Sequence, residues 1–278
     1  ATAAVKTIDG GANSELAFTV SPDDQRIAVA LINEQADVTK DTGEGYIEDL
    51  NDAANHVSLW NNTSQDAARW PVAWYGGLLI DAVGGFGQGC GYGSDCSQAA
   101  RAQSYHVLDA VSGNRTATVC ESPQPTPGTQ QEYYEVYGGP TSAGTACFEQ
   151  VTSQQGATTV QDQTLEAVDW SGHEQPFVQT TATNGSGGTT LGDCYLAPDG
   201  SRMGCVDATS QALVLVTRSG GAQNIGRRYT PLGWIDASHL LVDVDNSSLA
   251  VIDVTSGAAA TLAVQNADKV LMQAVISG

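Results

Sequence analysis

The densest group of side chains that could bind a ligand lies between residues 34 and 52. Seven carboxylates stand there against a single lysine, Lys40: Glu34, Asp37, Asp41, Glu44, Glu48, Asp49 and Asp52. Four oxygen-bearing side chains match the ligand positions 1, 3, 5 and 12 of a twelve-residue calcium loop: Asp37, Thr39, Asp41 and Glu48. Position 6 of such a loop requires glycine and here is Thr42, and no flanking amphipathic helices are evident. The segment therefore predicts either a calcium site or a solvated acidic loop, and no other cofactor is indicated.

A second segment offers aromatic side chains on a glycine-rich backbone. Phe86 and Tyr92 lie in GGFGQGCGYGSDC, which ends at Cys96. Aromatic rings beside acids such as Glu44, Asp49 and Asp52 suit a sugar, a basic peptide or a cation. The glycines do not form a phosphate-binding loop, because no Lys-Ser/Thr pair and no helix follow them.

The motifs of common enzyme classes are absent from the sequence. It contains no G-x-S-x-G, HExxH, P-loop or GxGxxG strand-to-helix unit. Five acids recur near predicted strand ends: Asp81, Asp109, Glu149, Asp243 and Asp253. Their repetition indicates a structural role in which an acid caps a turn. The four histidines are likewise interpreted as structural or exposed, so we assign no catalytic residue.

Six cysteines permit complete pairing. The nearest-neighbour scheme joins Cys90 to Cys96, Cys120 to Cys147 and Cys194 to Cys205, and it is one of 15 connectivities. The last pair is best supported, because residues 197–200 (APDG) form a turn signature that sets the flanking strands opposite each other. Disulfides indicate an oxidising compartment outside the cytoplasm. No pair has CxxC spacing, which argues against zinc.

The charge balance limits the partners. Eleven basic residues against 31 acidic ones give a net charge of −20, which disfavours nucleic acid and anionic membrane surfaces. No apolar run approaches the roughly 18 residues that a membrane helix needs. The chain begins at Ala1 without a signal-like segment, which suits a processed mature chain or a trimmed one.

The elements that must position these residues are short strands. Residues 234–260 alternate apolar side chains and break at a Thr-Ser-Gly turn, which predicts antiparallel strands joined by tight turns. Similar stretches begin at Val57, Tyr105, Thr145 and Ala212. Self-similarity at roughly 40 to 65 residues is typical of a repeat array with four strands per repeat.

The repeats resemble a known class. SPDDQR from Ser21 and APDGSR from Ala197, followed elsewhere by apolar-Asp-x-x-Ser-Gly, resemble WD40-like and TolB-like β-propeller repeats. The resemblance implies an all-β, single-domain propeller of about five four-stranded antiparallel blades, with six as the alternative. Residues 160–193 are either an extra blade or an elaborated connection. We expect strands at residues 3–8 and 269–276 to close the ring by pairing in one sheet.

Blade geometry predicts where the long segments lie. Connections between the second and third strands, and from one blade to the next, leave from the same end of a blade. Residues 33–55, 84–103 and 121–131 would therefore share one face, where binding residues collect on rigid scaffolds. We expect a monomeric, extracytoplasmic binding or sensory module for a protein, peptide or glycan, in an exported, periplasmic or cell-surface protein such as a lipoprotein. The alternative is a secreted carbohydrate-active enzyme with carboxylates in the central funnel.

Overall fold

The structure is a computed structural model. It describes Ile8 and residues 14–33, 42–51, 55–63, 67–85, 102–123, 131–227, 229–244 and 248–261. Within these residues the regular elements are twenty β-strands arranged in five four-stranded antiparallel sheets.

The strands follow one another along the chain in groups of four. Sheet 1 contains β1 (Ser14–Val20), β2 (Arg26–Asn33), β3 (Thr42–Asp49) and β4 (Val57–Thr63). Sheet 2 contains β5 (Ala67–Tyr75), β6 (Leu78–Gly85), β7 (Ser104–Asp109) and β8 (Arg115–Val119). Sheet 3 contains β9 (Gln131–Val136), β10 (Thr145–Gln155), β11 (Thr158–Val168) and β12 (Glu174–Thr183). Sheet 4 contains β13 (Leu191–Leu196), β14 (Arg202–Asp207), β15 (Ala212–Thr217) and β16 (Ala222–Arg227). Sheet 5 contains β17 (Tyr229–Trp234), β18 (His239–Val244), β19 (Ser248–Asp253) and β20 (Ala258–Thr261).

Five such sheets match a five-bladed β-propeller, so the predicted fold class is confirmed. In every sheet the strand order follows the chain order. Residues 160–193 are neither an extra blade nor a connection, because most of them form β11 and β12 of sheet 3. The predicted closing strands at residues 3–8 and 269–276 lie almost wholly outside the described residues.

The chain divides into two compact units. Residues 1–119 hold sheets 1 and 2, and residues 120–276 hold sheets 3, 4 and 5. In the first unit, apolar side chains of sheet 1, such as Ala28 and Ile47, pack with Trp74, Leu79 and Leu108 of sheet 2. In the second, Met203 and Val216 belong to a core with sheet 3, and Trp234 and Leu240 to a core with sheet 4. The single-domain organisation stays a prediction.

Two of the three expected disulfides are present. Cys120 is joined to Cys147, and Cys194 to Cys205. The second bond spans the β13–β14 turn, where the amide of Gly200 donates to the carbonyl of Ala197 at 2.8 Å. The turn signature therefore does bring the two strands together as expected. Cys90 and Cys96 lie outside the described residues.

Candidate functional site

The structure divides the predicted connection at residues 33–55. Residues 42–49 of that segment form β3, which pairs along its whole length with β2. The chain leaves sheet 1 after Asn33 and returns at Thr42, and β3 ends at Asp49 before β4 begins at Val57. The prediction of one long connection was wrong here. Residues 42–49 (TGEGYIED) form a strand although they are rich in glycine and acids, which are uncommon in strands.

The contacts of Arg26 show which end of sheet 1 lies beside which end of sheet 2. Its guanidinium Nη1 donates to the carbonyl of Ala110 at 2.5 Å, and its Cζ lies 5.9 Å from the centre of the Trp74 ring. Arg26 follows the β1–β2 turn, Trp74 precedes the β5–β6 turn and Ala110 begins the β7–β8 turn. The short turns of both sheets therefore lie at one end.

The long connections must leave from the opposite end. The β2–β3 connection begins after Asn33, and the β6–β7 connection begins after Gly85. Strand β8 also ends there, since Val119 pairs with Tyr105 close to the start of β7. Strand β4 ends there too, since Thr63 pairs with Thr42, and the chain thus departs four times from this edge, which we call the connection end. The strand that follows the last departure belongs to the other unit.

The predicted binding residues fall at different ends of sheet 1. Glu44 is exposed and pairs with Leu31 near the connection end. Asp49 pairs with Arg26 at the turn end and accepts a hydrogen bond from Asn55 at 2.8 Å. Five residues of extended strand separate the two acids by about 17 Å, so they do not form one site. Phe86, Tyr92 and Asp52 lie outside the described residues.

The calcium residues are described only in part. Asp37, Thr39 and Asp41 lie outside the described residues, and Glu48 lies on β3. Glu48 is buried, with one carboxylate oxygen 3.4 Å from Nδ1 of His56. The last seven positions of the proposed loop are paired as an extended strand, and this does not have the curvature of a calcium loop. Among the described residues no group of three or more His, Cys, Asp or Glu side chains could hold a metal ion.

A group of buried ionisable side chains lies on the face of sheet 2 that packs on sheet 1. Asp81 and His106 are directly opposite each other on β6 and β7, with exposures of 0% and 4%. Burial raises the pKa of the Asp81 carboxyl to about 7, against the lowering effects of Arg69 and Trp60. Burial, with Arg69 and Arg115, lowers the pKa of His106 to about 4. At neutral pH the imidazole is therefore uncharged.

Hydrogen bonding fixes the state of His106. Nη1 of Arg115 lies 3.1 Å from its Nε2, and a guanidinium can only donate. Nε2 is therefore the acceptor, and the proton of the neutral ring is on Nδ1. The Trp60 indole approaches from sheet 1, lying so close to Gly45 that a Cβ there would be 2.3 Å from its Nε1. It stabilises the Asp81 charge without reaching good hydrogen-bond geometry.

The strand registers of sheets 2 and 5 show that Asp81 occupies a position at which the equivalent residue of sheet 5 is apolar. Trp74 pairs with Leu79 as Trp234 pairs with Leu240, and both strands have a bulge after a proline, Pro71 or Pro231. Counting from these landmarks, Asp81 corresponds to Val242. Their partners on the third strand, His106 and Ala250, correspond in turn.

The capping role predicted for the recurring acids is only partly correct. Asp109 and Asp253 do cap turns: Oδ1 of Asp109 accepts from the amide of Ser112 at 2.7 Å, and Oδ1 of Asp253 from that of Thr255 at 2.9 Å. Asp81, Glu149 and Asp243 lie within strands instead. LLID and LLVD look equivalent in sequence, but the turn before β18 is longer, so Asp81 and Asp243 point to opposite faces. A count of the turn residues could have revealed this.

Sheet 3 carries a second ionisable group. Tyr134 lies opposite Glu149, and its hydroxyl donates to the carboxyl of Glu166. Burial raises the pKa of Glu166 to about 7, assisted by Glu174 and Glu149 and opposed by the Tyr134 bond. Burial also raises the pKa of Glu149. Glu149 and Glu166 are diagonal neighbours on one face of the sheet. Sheet geometry places the Cα atoms of such a pair roughly 7–8 Å apart.

Solved structures whose fold is similar to that of this chain are β-propeller proteins. No protein-family model and no curated protein matches the chain. Solved structures of similar fold include an oligogalacturonate lyase in complex with manganese, at 9% identity and a TM-score of 0.48, covering 82% of this chain and 61% of that one. AztD from Citrobacter koseri aligns at 11% identity and a TM-score of 0.35, covering 90% and 73%. Sqt1 from Chaetomium thermophilum aligns at 13% identity and a TM-score of 0.38, covering 92% and 63%.

These comparisons assign neither a family nor an activity. The chain spans about three fifths of the lyase, and all three TM-scores lie below 0.5. The WD40-like or TolB-like resemblance stays a prediction. The described part of the chain contains no helix long and apolar enough to cross a membrane. Its two disulfides are consistent with an oxidising, exported location.

Proposed function

We propose that this chain is an extracytoplasmic binding module whose connection end holds a protein, peptide or glycan partner. The observation that carries the proposal is the Arg26 contact, which matches the ends of sheets 1 and 2 and so brings two long connections to one edge. Connections on a rigid β scaffold can vary in sequence without disturbing the core, and binding residues concentrate there. The residues of these connections, Phe86 and Tyr92 among them, are the proposed contact side chains.

The charge of this edge favours a cationic partner. Glu44 is exposed on β3 near the connection end, and the connection that precedes it carries Glu34, Asp37 and Asp41. Acidic surfaces accelerate the encounter with basic partners and lose that advantage as ionic strength rises. A lysine- or arginine-rich peptide is therefore the first probe, with a glycan array beside it.

A matched pair of charge reversals tests the placement. Glu44→Lys and Asp49→Lys change the net charge equally and lie on the same strand at opposite ends. We expect Glu44→Lys to weaken binding of the basic peptide about tenfold or more in fluorescence anisotropy, and Asp49→Lys to change it less than twofold, because exposed charges more than about 10 Å away are screened at 0.1 M salt. Equal effects of the two variants, or no binding by the wild type to either probe class, would contradict the proposal.

A carbohydrate-active enzyme is the second candidate, and the Glu149–Glu166 pair on sheet 3 is the observation that favours it. Glycoside hydrolysis requires two neighbouring carboxyl groups, and a raised pKa such as that of Glu166 suits the one that acts as general acid. The same glycan panel distinguishes the candidates. Turnover that Glu166→Gln abolishes would support the enzyme, whereas binding without turnover supports the binding module.

A further inference from the structure

Five unpaired polar atoms are concentrated between sheets 1 and 2. In the described part of the chain, six buried side-chain nitrogen or oxygen atoms have no hydrogen-bond partner. Five of them belong to neighbouring residues: both carboxyl oxygens of Asp81, Nδ1 of His106, Nε of Arg69 and Nε1 of Trp60. Leaving a buried polar atom unpaired typically costs about 1–3 kcal/mol, so a folded protein rarely keeps five together.

The chemistry of these atoms specifies what could satisfy them. Arg69 Nε and Trp60 Nε1 can only donate, and Nδ1 of His106 also carries a hydrogen because its Nε2 accepts from Arg115. The two oxygens of Asp81 complete a set of three donors and one carboxyl group. A bound anion would be repelled by the Asp81 carboxylate, and a metal cation would offer the N–H groups no acceptor. A molecule that both donates and accepts meets all five atoms.

We propose that one or two ordered water molecules occupy an internal site between sheets 1 and 2, bridging Asp81 to Trp60, Arg69 and His106. A buried water makes about three hydrogen bonds, so two waters suffice for five atoms. The bridge joins β4 of sheet 1 to β5, β6 and β7 of sheet 2. The equivalent residues of sheet 5, Val242 and Ala250, are buried and apolar, and we expect no water there.

Three tryptophans with nearly equal burial provide a controlled test. Trp60, Trp170 and Trp234 are 6%, 7% and 7% exposed. The indole N–H of Trp170 donates to the carbonyl of Thr141 at 2.8 Å, and that of Trp234 to the carbonyl of Tyr195 at 2.7 Å. Trp60 has no such direct partner. In NMR experiments that detect long-lived bound water, Trp60 should be the one tryptophan of these three whose indole N–H shows a cross-peak to water, with assignments made by Trp→Phe substitution.

A crystal structure that resolves waters provides the second measurement. We expect density within about 2.7–3.2 Å of an Asp81 oxygen and of at least two of the three N–H groups. Direct bonds from Trp60 and His106 to Asp81 with no water between them would overturn the proposal. An ion identified there by anomalous scattering would overturn it equally.

Substitution of Asp81 tests whether the proposed water contributes to the stability of the folded protein. Asp81→Val removes both acceptors, so the Trp60 cross-peak should disappear and the folding equilibrium constant should fall roughly tenfold or more. Asp81→Asn keeps one acceptor oxygen and should retain the cross-peak, which provides a readout if the valine variant does not fold. A persistent cross-peak in Asp81→Val, or its loss in Asp81→Asn, would contradict the bridge.

Discussion

The carboxyl group of Asp81 has no exposed surface, and burial raises its pKa to about 7 from 3.8. A carboxyl whose pKa is raised on folding binds its proton more tightly in the folded state. Its contribution to stability is therefore complete below about pH 3.8 and is lost as the pH rises through about 7. His106 has the opposite dependence, because its lowered pKa gives stability above about pH 6.5 that is lost as the pH falls towards 4.

The pH dependence of the unfolding free energy should reveal the raised pKa of Asp81. Between pH 4 and 7 the wild type should lose up to about 4 kcal/mol more unfolding free energy than Asp81→Asn, measured by urea denaturation at each pH. The matched control is Asp109→Asn. Hydrogen bonds from the Ser112 amide and hydroxyl lower the pKa of Asp109, so this variant should change the profile only below about pH 4. Parallel profiles for the wild type and Asp81→Asn would contradict the raised pKa.

Individual residues were the hardest scale to predict from sequence. The cap formed by Asp253 follows from local geometry, since an acid two residues before a Thr or Ser can accept from that residue's amide. The burial of Asp81 depends on a pairing register, and one additional residue in a turn changes the face on which a side chain lies. Tyr134 and Glu166 are 32 residues apart, so their hydrogen bond cannot be predicted from a local sequence pattern.

At the scale of elements, both disulfides join residues of the second unit, but only one of them joins two strands. Cys194 and Cys205 join β13 to β14, whereas Cys147 on β10 is joined to Cys120, which directly follows β8. The two bonds close sequence separations of 11 and 27 residues. A longer closed loop restricts the unfolded chain more strongly.

Removing the two bonds should therefore cost different amounts. From loop length, replacing Cys194 and Cys205 by Ala should lower the unfolding free energy by about 3 kcal/mol, and replacing Cys120 and Cys147 by about 3.5 kcal/mol. Urea denaturation of both double variants measures the difference. An unchanged midpoint in either variant would indicate that its cysteines are not paired in the folded protein.

Strands with turn residues between them were predicted well, and strand β3 was not. APDG and the Thr-Ser-Gly turn mark their strands because proline and glycine restrict the backbone to turn conformations. TGEGYIED places glycines and acids where β-branched residues are usual, so propensity indicates a loop. Pairing with β2, whose Ile27 and Val29 are buried, overrides that local preference.

On the scale of the whole molecule, the net charge of −20 opposes the folded state. Mutual repulsion among surface acids is strongest at low ionic strength, where the Debye length is about 30 Å at 0.01 M. The unfolded chain spreads the same charges further apart. Added salt should therefore stabilise the protein.

Thermal unfolding should show this effect. Raising sodium chloride from 0.01 to 0.15 M should increase the unfolding free energy by about 1 kcal/mol, equivalent to roughly 2–4 °C in Tm. Potassium chloride at equal ionic strength is the control and should give the same shift. A Tm that falls with salt would mean that attractive ion pairs outweigh the repulsion.

The order of strands within each sheet also has a consequence for synthesis on the ribosome. In the part of the chain that the structure describes, every pairing joins strands that are neighbours in the chain, so each of the five sheets can form as soon as its own four strands have emerged. The described ladders of the first sheet all join strands within residues 14–63. Sheet 2 then presents Trp74 and the carbonyl of Ala110 to an Arg26 that is already in place. The nascent protein can thus form its described sheets one after another, and within the first unit the finished sheet 1 can serve as the template for sheet 2.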